Sequence, residues 1–258
     1  IENGTLLRAD GTVMSILYHG ADAISLPNGT KRIAKNALLS HADATTLILP
    51  ADGNAVELRE ALVGSGIQQV YCYTEAQQKT METALAGTNI HVSMLTKTKN
   101  GYTYYATDAG LVLVHAPSDL TRFDGSISDV SRTDAELPLL GIADGAFAGS
   151  ATLQWVWLPE TVRHIGAQSF FHCEALEGIL IDSREDITVG KDAFEKSPAL
   201  RFVASNAKTA TFLNDYAPTL ETKLPLIDRN VTESFLFCLD GAEVEGYPEN
   251  WNHFTQFF

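Results

Sequence analysis

The chain has 258 residues, of which 45% are hydrophobic and 19% are charged, proportions typical of a folded protein and not of a disordered one. The formal net charge of −14 argues against a nucleic-acid-binding surface, because phosphate contacts need clustered Lys and Arg, and the 18 present are scattered. No apolar run approaches the roughly 20 residues that span a bilayer, so we expect no membrane insertion.

The first predicted element is a hairpin at 5–19, TLLRADGTVMSILYH, in which apolar residues alternate on both sides of an Asp-Gly turn. The segment at 33–50, IAKNALLSHADATTLILP, comes next, and a weaker version of it occupies 56–72. The apolar anchors of the weaker version are Ala61, Leu62 and Val70. A helical pattern with a Thr at its start, which is typical N-cap chemistry, then covers 73–87.

The same order of elements recurs further along the chain. A second hairpin pattern lies at 103–117, TYYATDAGLVLVHAP, and an irregular insertion follows at 118–136. Three copies of one pattern then occupy 142–159, 165–182 and 189–205, and a second helical pattern covers 205–217. The copies share a Phe and a Leu that recur at a nearly constant spacing: Phe147, Phe170 and Phe194, and Leu153, Leu176 and Leu200.

A period in the twenties is typical of a solenoid, in which no single repeat can bury its own apolar side. We call one repeat a coil. The segment 33–50 matches 142–159 position by position without a gap, so the two halves are predicted to be structural duplicates. The residues predicted to be buried at matching positions are Ile33, Leu47 and Leu49, and Ile142, Val156 and Leu158.

These elements predict three regions. Residues 1–100 form a first repeat module of hairpin, two coils and capping helix. Residues 101–228 form a second module of hairpin, insertion, three coils and capping helix. A third hairpin pattern at 234–248, SFLFCLDGAEVEGYP, makes 229–258 a partial third hairpin or a terminal lid.

The segment LPETVRHIGAQSFFHCEALEGILI at 158–181 fits the pattern LPxTVxxIGxxxFxxCxxLxxIxI and so resembles the BspA-like leucine-rich repeats of bacterial surface proteins. The resemblance covers most of 24–50 and 139–205. It implies an α/β leucine-rich-repeat solenoid of short parallel strands. It also implies a secreted or surface-displayed protein, in a family generally associated with adhesion and protein binding, although a shared fold does not fix a ligand.

Residues that could hold a metal have simpler structural explanations. His164, His172 and Cys173 lack the three or four convergent donors of a zinc site, and Cys173 occupies the position of Ser150 and Ser197 in neighbouring coils. The oxygen-rich loop at 124–134 lacks the central Gly and closing Glu of a calcium loop. We therefore predict no metal, with a weak calcium preference as the alternative.

No local motif for catalysis or for a cofactor occurs in the chain. None of the seven His residues lies in a GxSxG or HExxH motif, and there is no Gly-rich phosphate loop. We therefore predict no cofactor and no enzyme, with an enzyme built from distant residues as a remote alternative. Cys72, Cys173 and Cys238 lie far apart and are expected to be reduced.

The candidate binding site is an outward aromatic row. Strand alternation places Val156 and Leu158 on the buried side of their strand, so Trp155 and Trp157 point the other way. Leu180 and Phe202 are predicted to extend this row in the next two coils. Large apolar patches that stay exposed usually bind something, and cover by the insertion or a neighbouring hairpin is the alternative.

Together these features predict a non-enzymatic, secreted or cell-surface repeat protein that binds a protein or glycan through its sheet face, with host-derived molecules among the candidate partners. The alternative is a structural spacer that presents other domains of a longer surface protein. A binder requires an uncovered aromatic face, whereas a spacer requires a uniformly polar face and tightly packed junctions between modules.

Overall fold

A computed structural model describes residues 5–17, 22–41, 43–125, 137–181, 187–197 and 201–204, and for Leu180 and residues 201–204 it describes the backbone alone. The chain forms a β-solenoid in which short, mostly parallel strands stack coil on coil. Two helices form within the described residues: α1 (Arg59–Leu62) and α2 (Glu75–Ala84). The fold therefore has less helix than the predicted α/β class implies.

Two sheets build the first part of the chain. One has the order β1-β2-β4, with β1 (Thr5–Leu7), β2 (Thr12–Ile16) and β4 (Arg32–Ile33). The other is a parallel sheet of order β3-β5-β6-β7, with β3 (Ala23–Ser25), β5 (Thr46–Ile48), β6 (Gln69–Cys72) and β7 (His91–Met94). The pairing of β1 with β2 is antiparallel, which confirms the first predicted hairpin.

Two further sheets build the second part. The six-stranded sheet has the order β16-β14-β12-β10-β9-β8, with β8 (Thr96–Lys97), β9 (Thr103–Ala106), β10 (Leu111–His115), β12 (Leu139–Ile142), β14 (His164–Ile165) and β16 (Thr188–Val189). The parallel sheet β11-β13-β15-β17 contains β11 (Arg122–Phe123), β13 (Trp155–Leu158), β15 (Gly178–Ile181) and β17 (Arg201–Ala204). Antiparallel pairing of β9 with β10 confirms the second predicted hairpin.

Each part has its own hydrophobic core. The first core draws its buried residues from positions 13 to 85, and the second draws them from positions 104 to 194. A column of rings runs through the second core, where Phe170 stacks on Phe147 at a centroid distance of 4.9 Å and on Phe194 at 5.4 Å. Phe123 meets the edge of Phe147 at 5.2 Å and continues the column by one coil. The predicted Phe repeat is thus the core of the solenoid.

The two segments predicted to match agree in burial and in strand placement. Strands β4 and β5 lie within 33–50 or at its start, and β12 and β13 lie at the matching places of 142–159. All six residues predicted to match are at most 4% exposed: Ile33, Leu47, Leu49, Ile142, Val156 and Leu158. The predicted module boundaries at 100/101 and 228/229 stay predictions.

The predicted first helix forms, but it does not end the sheet. Thr74 is its N-cap: the Thr74 hydroxyl accepts from the Gln77 amide at 3.2 Å, and the Gln77 side chain accepts from the Thr74 amide. Strand β7 follows the helix and pairs with β6, so the chain continues the parallel sheet beyond α2. The helix therefore lies between two strands of one sheet. The second predicted helix, 205–217, and the third hairpin, 234–248, lie outside the described residues.

The outward faces of two sheets pack on each other where the two parts meet. A third cluster joins side chains of β3 and β5 to side chains of β9 and β10, together with Leu95 and Ala143 from just outside the strands. Its members are Ala23, Ile48, Leu95, Tyr105, Val112, Val114 and Ala143. Tyr71 of β6 stacks on Tyr105 of β9 with ring centroids 4.6 Å apart. We call this contact the junction. It covers the side of β3, β5 and β6 that faces away from the first core.

Candidate functional site

The row of outward residues on β13 begins with two tryptophans of unequal exposure. Val156 and Leu158 are buried in the second core, as strand alternation predicts, and the two Trp residues lie outside that core cluster. Trp155 is only 7% exposed, whereas Trp157 is half-buried. The open part of the predicted site is therefore Trp157, and Trp155 belongs to the packed structure.

Trp155 is buried by the neighbouring coil. It pairs with Gly178 of β15, and a Cβ atom added to Gly178 would collide with the six-membered ring of the indole. The absent side chain at Gly178 therefore makes the space in which the Trp155 ring lies. A large residue at position 178 would force this ring outward, so Gly178 is part of the packing of the strand pair.

Trp157 is partly covered by the start of the insertion. A Cβ atom on Gly125 would lie 3.2 Å from Cε3 of Trp157 and 2.7 Å from Cδ of Pro159, so the backbone at residue 125 lies close against the indole. The indole Nε1 of Trp157 is itself shielded from solvent and has no hydrogen-bond partner among the residues that the structure describes. A buried donor without a partner costs free energy, which favours an additional acceptor at this place.

The backbone register brings one of the two predicted extensions beside the tryptophans. Leu180 pairs with Trp157 and therefore lies in the same row. Phe202 pairs with Ile179, which in turn pairs with Val156, so its register position is in the row of the buried residues. Val203 is the residue that pairs with Leu180. The row is thus Trp157, Leu180 and Val203, and the placement of Phe202 in it is corrected.

The residues weighed as metal ligands take part in packing and hydrogen bonding. The Sγ of Cys173 donates to the carbonyl oxygen of Phe147 at 3.1 Å, and its amide donates to Oγ of Ser197 at 3.1 Å. Burial raises the pKa of the Cys173 thiol to about 11 and of the Cys72 thiol to about 12, so both stay protonated near neutral pH. Over the described ranges, no three His, Cys, Asp or Glu residues converge as a metal site would require.

His164 lies on the face of the six-stranded sheet that forms the junction. Its ring lies over Gly141 of β12, where an added Cβ would collide with it. Desolvation by burial lowers the pKa of His164, and the nearby negative charge of Asp22 opposes that shift. The imidazole is therefore neutral at physiological pH and acts as a packing group. Cys238 and most of the oxygen-rich loop at 124–134 lie outside the described residues.

A groove of about 850 Å³ lies beside β4 and α2, and two of its charged side chains form an ion pair. Arg32 Nε lies 2.7 Å from Oε2 of Glu57, and Arg59 donates to the carbonyl oxygen of Ala84 at 2.8 Å. The sequence did not single out this groove, because its lining comes from three separate segments. It offers Met81 and the aliphatic stems of charged side chains, which is a weak basis for ligand recognition.

Comparison with known proteins agrees with the resemblance seen in the repeats. Residues 128–218 match the BspA type leucine rich repeat region, a family model of six copies. No curated protein matches the sequence significantly. A solved leucine rich cell surface protein from Faecalibacterium prausnitzii A2-165 is 15% identical, with a TM-score of 0.27, over 74% of this chain and 62% of that one.

The chain therefore spans less than two thirds of the length of that cell surface protein. Among the helices that the structure describes, none has both the length and the apolarity needed to cross a membrane. The matched residues include Phe147, Phe170 and Phe194 of the Phe column and the strands β12 to β17. Residues 128–218, which contain most of the Phe column, are therefore similar to the repeat region of the BspA-type leucine-rich repeat family.

Proposed function

We propose that the chain is a non-enzymatic repeat region of a bacterial cell-surface or secreted protein, and that it acts as a rigid scaffold that holds other parts of that protein at a fixed separation. The observation that carries this proposal is the junction. The outward face of β3, β5 and β6, where a leucine-rich repeat could receive a ligand, is covered by the next hairpin of the same chain.

The first hairpin supports the same interpretation. One face of this hairpin corresponds to the face of β9 and β10 that forms the junction. Three large apolar side chains on it are exposed to solvent: Leu6 (42% exposed), Met14 (40%) and Leu17 (47%). Apolar side chains grouped on one side of a hairpin favour contact with another surface. Stacking of a preceding sheet on this side would repeat the junction and extend the scaffold.

A distance measurement across the junction tests the scaffold. Fluorophores on Val63→Cys and Glu195→Cys, both on exposed residues, would report the separation of the two parts in a Cys238→Ser chain. The buried thiols of Cys72 and Cys173 should label slowly, because their pKa values are raised. We expect one narrow distance distribution, which Tyr105→Asp broadens. A broad distribution in the unsubstituted chain would exclude a rigid scaffold.

A second candidate function is binding of a protein or glycan partner, such as a host-derived one, through the row of Trp157 and Leu180. It is favoured by the half-buried indole of Trp157 and by the donor on Nε1 that has no partner within the described ranges. Aromatic residues with one polar atom are enriched at such contacts.

Substitution of Trp157 alone separates binding from packing. Trp157→Ser should reduce capture of a partner and leave the melting temperature nearly unchanged, while Trp155→Ser should lower the melting temperature because that ring packs over Gly178. Glycan arrays and host extracellular proteins are the appropriate probes. Capture that survives Trp157→Ser would remove this row as the binding site.

A further inference from the structure

We propose that the row of Trp157, Leu180 and Val203 is the docking surface for residues 234–248 of the same chain, which pack on it as the second hairpin packs on the first parallel sheet. This assigns an occupant to the row and goes beyond the scaffold function. This docking and the second candidate function exclude each other, because both would use the same row.

The junction supplies the geometric precedent. There, the outward residues of a parallel sheet are covered by the hairpin that follows it in the chain. Ile48 of β5 is 1% exposed and clusters with Tyr105, Val112 and Val114 of that hairpin. The hydroxyl of Tyr71 also reaches the carbonyl oxygen of Ala106, at 3.5 Å. A hairpin placed after a parallel sheet therefore covers both apolar and hydrogen-bonding groups on it.

The second parallel sheet and residues 234–248 are separated along the sequence by the same number of residues as the first parallel sheet and the second hairpin. The offset that superposes β6 on β17 also aligns, without a gap, Tyr105 with Phe237 and Asp108 with Asp240. It further aligns Ile48 with Leu180 and Tyr71 with Val203. Ile48 pairs with Tyr71 in the first parallel sheet, and Leu180 pairs with Val203 in the second. The chain thus contains a further hairpin pattern at the distance from its sheet that the junction requires.

The chemistry of the two surfaces matches as well. Phe237 and Val244 align with Tyr105 and Val112, both of which face the junction. Apolar side chains at these positions would cover the part of the Trp157 indole that the described residues leave open, and the backbone of the segment would bring acceptors near Nε1. A charged residue at position 237 or 244 would have argued against such a contact.

Tryptophan fluorescence of the full chain tests the proposal. With Trp251→Phe in every variant, the emission comes from Trp155 and Trp157 alone. Phe237→Asp and Val244→Asp should each shift this emission to the red and steepen its quenching by acrylamide, because they release the indole of Trp157 to water. Glu245→Ala is the matched control: Glu245 aligns with Leu113, which faces the second core and not the junction.

Three results would overturn the proposal. Emission and quenching that do not change in Phe237→Asp and Val244→Asp would show that this segment does not cover the row. A red shift that appears on dilution of the unsubstituted chain would assign the contact to a second copy. An equal change in Glu245→Ala, with the far-ultraviolet circular dichroism retained, would indicate a general effect of the terminal region. None of these results affects the distance test across the junction.

Discussion

At the scale of single residues, each coil of the second part contains two left-handed turn residues. One turn position has a positive φ in successive coils at Gly145, Gln168 and Asp192, and the other at Gly149, His172 and Lys196. Glycine adopts this conformation without a steric penalty, whereas other residues adopt it at a cost. Because most of these positions are not Gly, a search for glycine signals in the sequence could not have located the turns.

Two glycine substitutions should separate conformational strain from steric collision. Gly149 has φ +75° and nothing within 4 Å of an added Cβ, so Gly149→Ala should cost about 1 kcal/mol from the backbone conformation alone. Gly166→Ala should cost more, because its Cβ would collide with the backbone of Ala143 and Asp144. Urea unfolding of both variants measures the difference. Equal losses would contradict this assignment of the two glycines.

At the scale of elements, the interior of the second part is filled by stacked Phe rings and not by helices that the structure describes. Phe170 is fully buried between Phe147 and Phe194, with interplanar angles of 10° and 9°. A hydrogen bond also links the coil of Phe170 to the next coil: the hydroxyl of Ser197 donates to the carbonyl oxygen of Phe170 at 2.5 Å. Each coil therefore depends on its neighbours for both apolar and polar contacts.

Truncation of the central ring should be among the more damaging single changes in the second core. Phe170→Ala should lower the free energy of unfolding by about 3–5 kcal/mol, because it removes a buried aromatic side chain that stacks on both sides. Val63→Ala, at a side chain that is 74% exposed, is the control and should change stability little. Chemical denaturation that gives similar values for the two variants would refute the central place of the Phe column.

The sequence predicted the elements that carry strong periodicity and missed those that depend on register. Both hairpins, the matched coils and the Thr74 cap were predictable, because each has a local signal. Phe202 was placed on the wrong side because the step from β15 to β17, from Ile179 to Phe202, is one position shorter than the step from Phe170 to Phe194. A shift of one position moves every side chain of a strand to the opposite face. Strands as short as β14 have no periodicity to detect.

At the scale of the whole molecule, two stacks of coils with separate cores are held together by the junction. Its tyrosines lie in a dry environment: burial and the charge of Asp22 raise the pKa of Tyr105, and burial raises the pKa of Tyr73 to about 12. Both phenols are therefore neutral at physiological pH, so the junction is an apolar contact between outward sheet faces. The same type of contact underlies the proposed scaffold and the proposed docking of 234–248.

Scanning calorimetry of the full chain and of Tyr105→Asp tests most directly whether the junction couples the two parts. The substitution places a carboxylate against Tyr71 without touching either main core, and burial of an unpaired charge is strongly unfavourable. We expect the native chain to unfold in one main transition and Tyr105→Asp to separate it into two. A native chain that already shows two independent transitions, or a Tyr105→Asp chain that unfolds as the native chain does, would contradict the account.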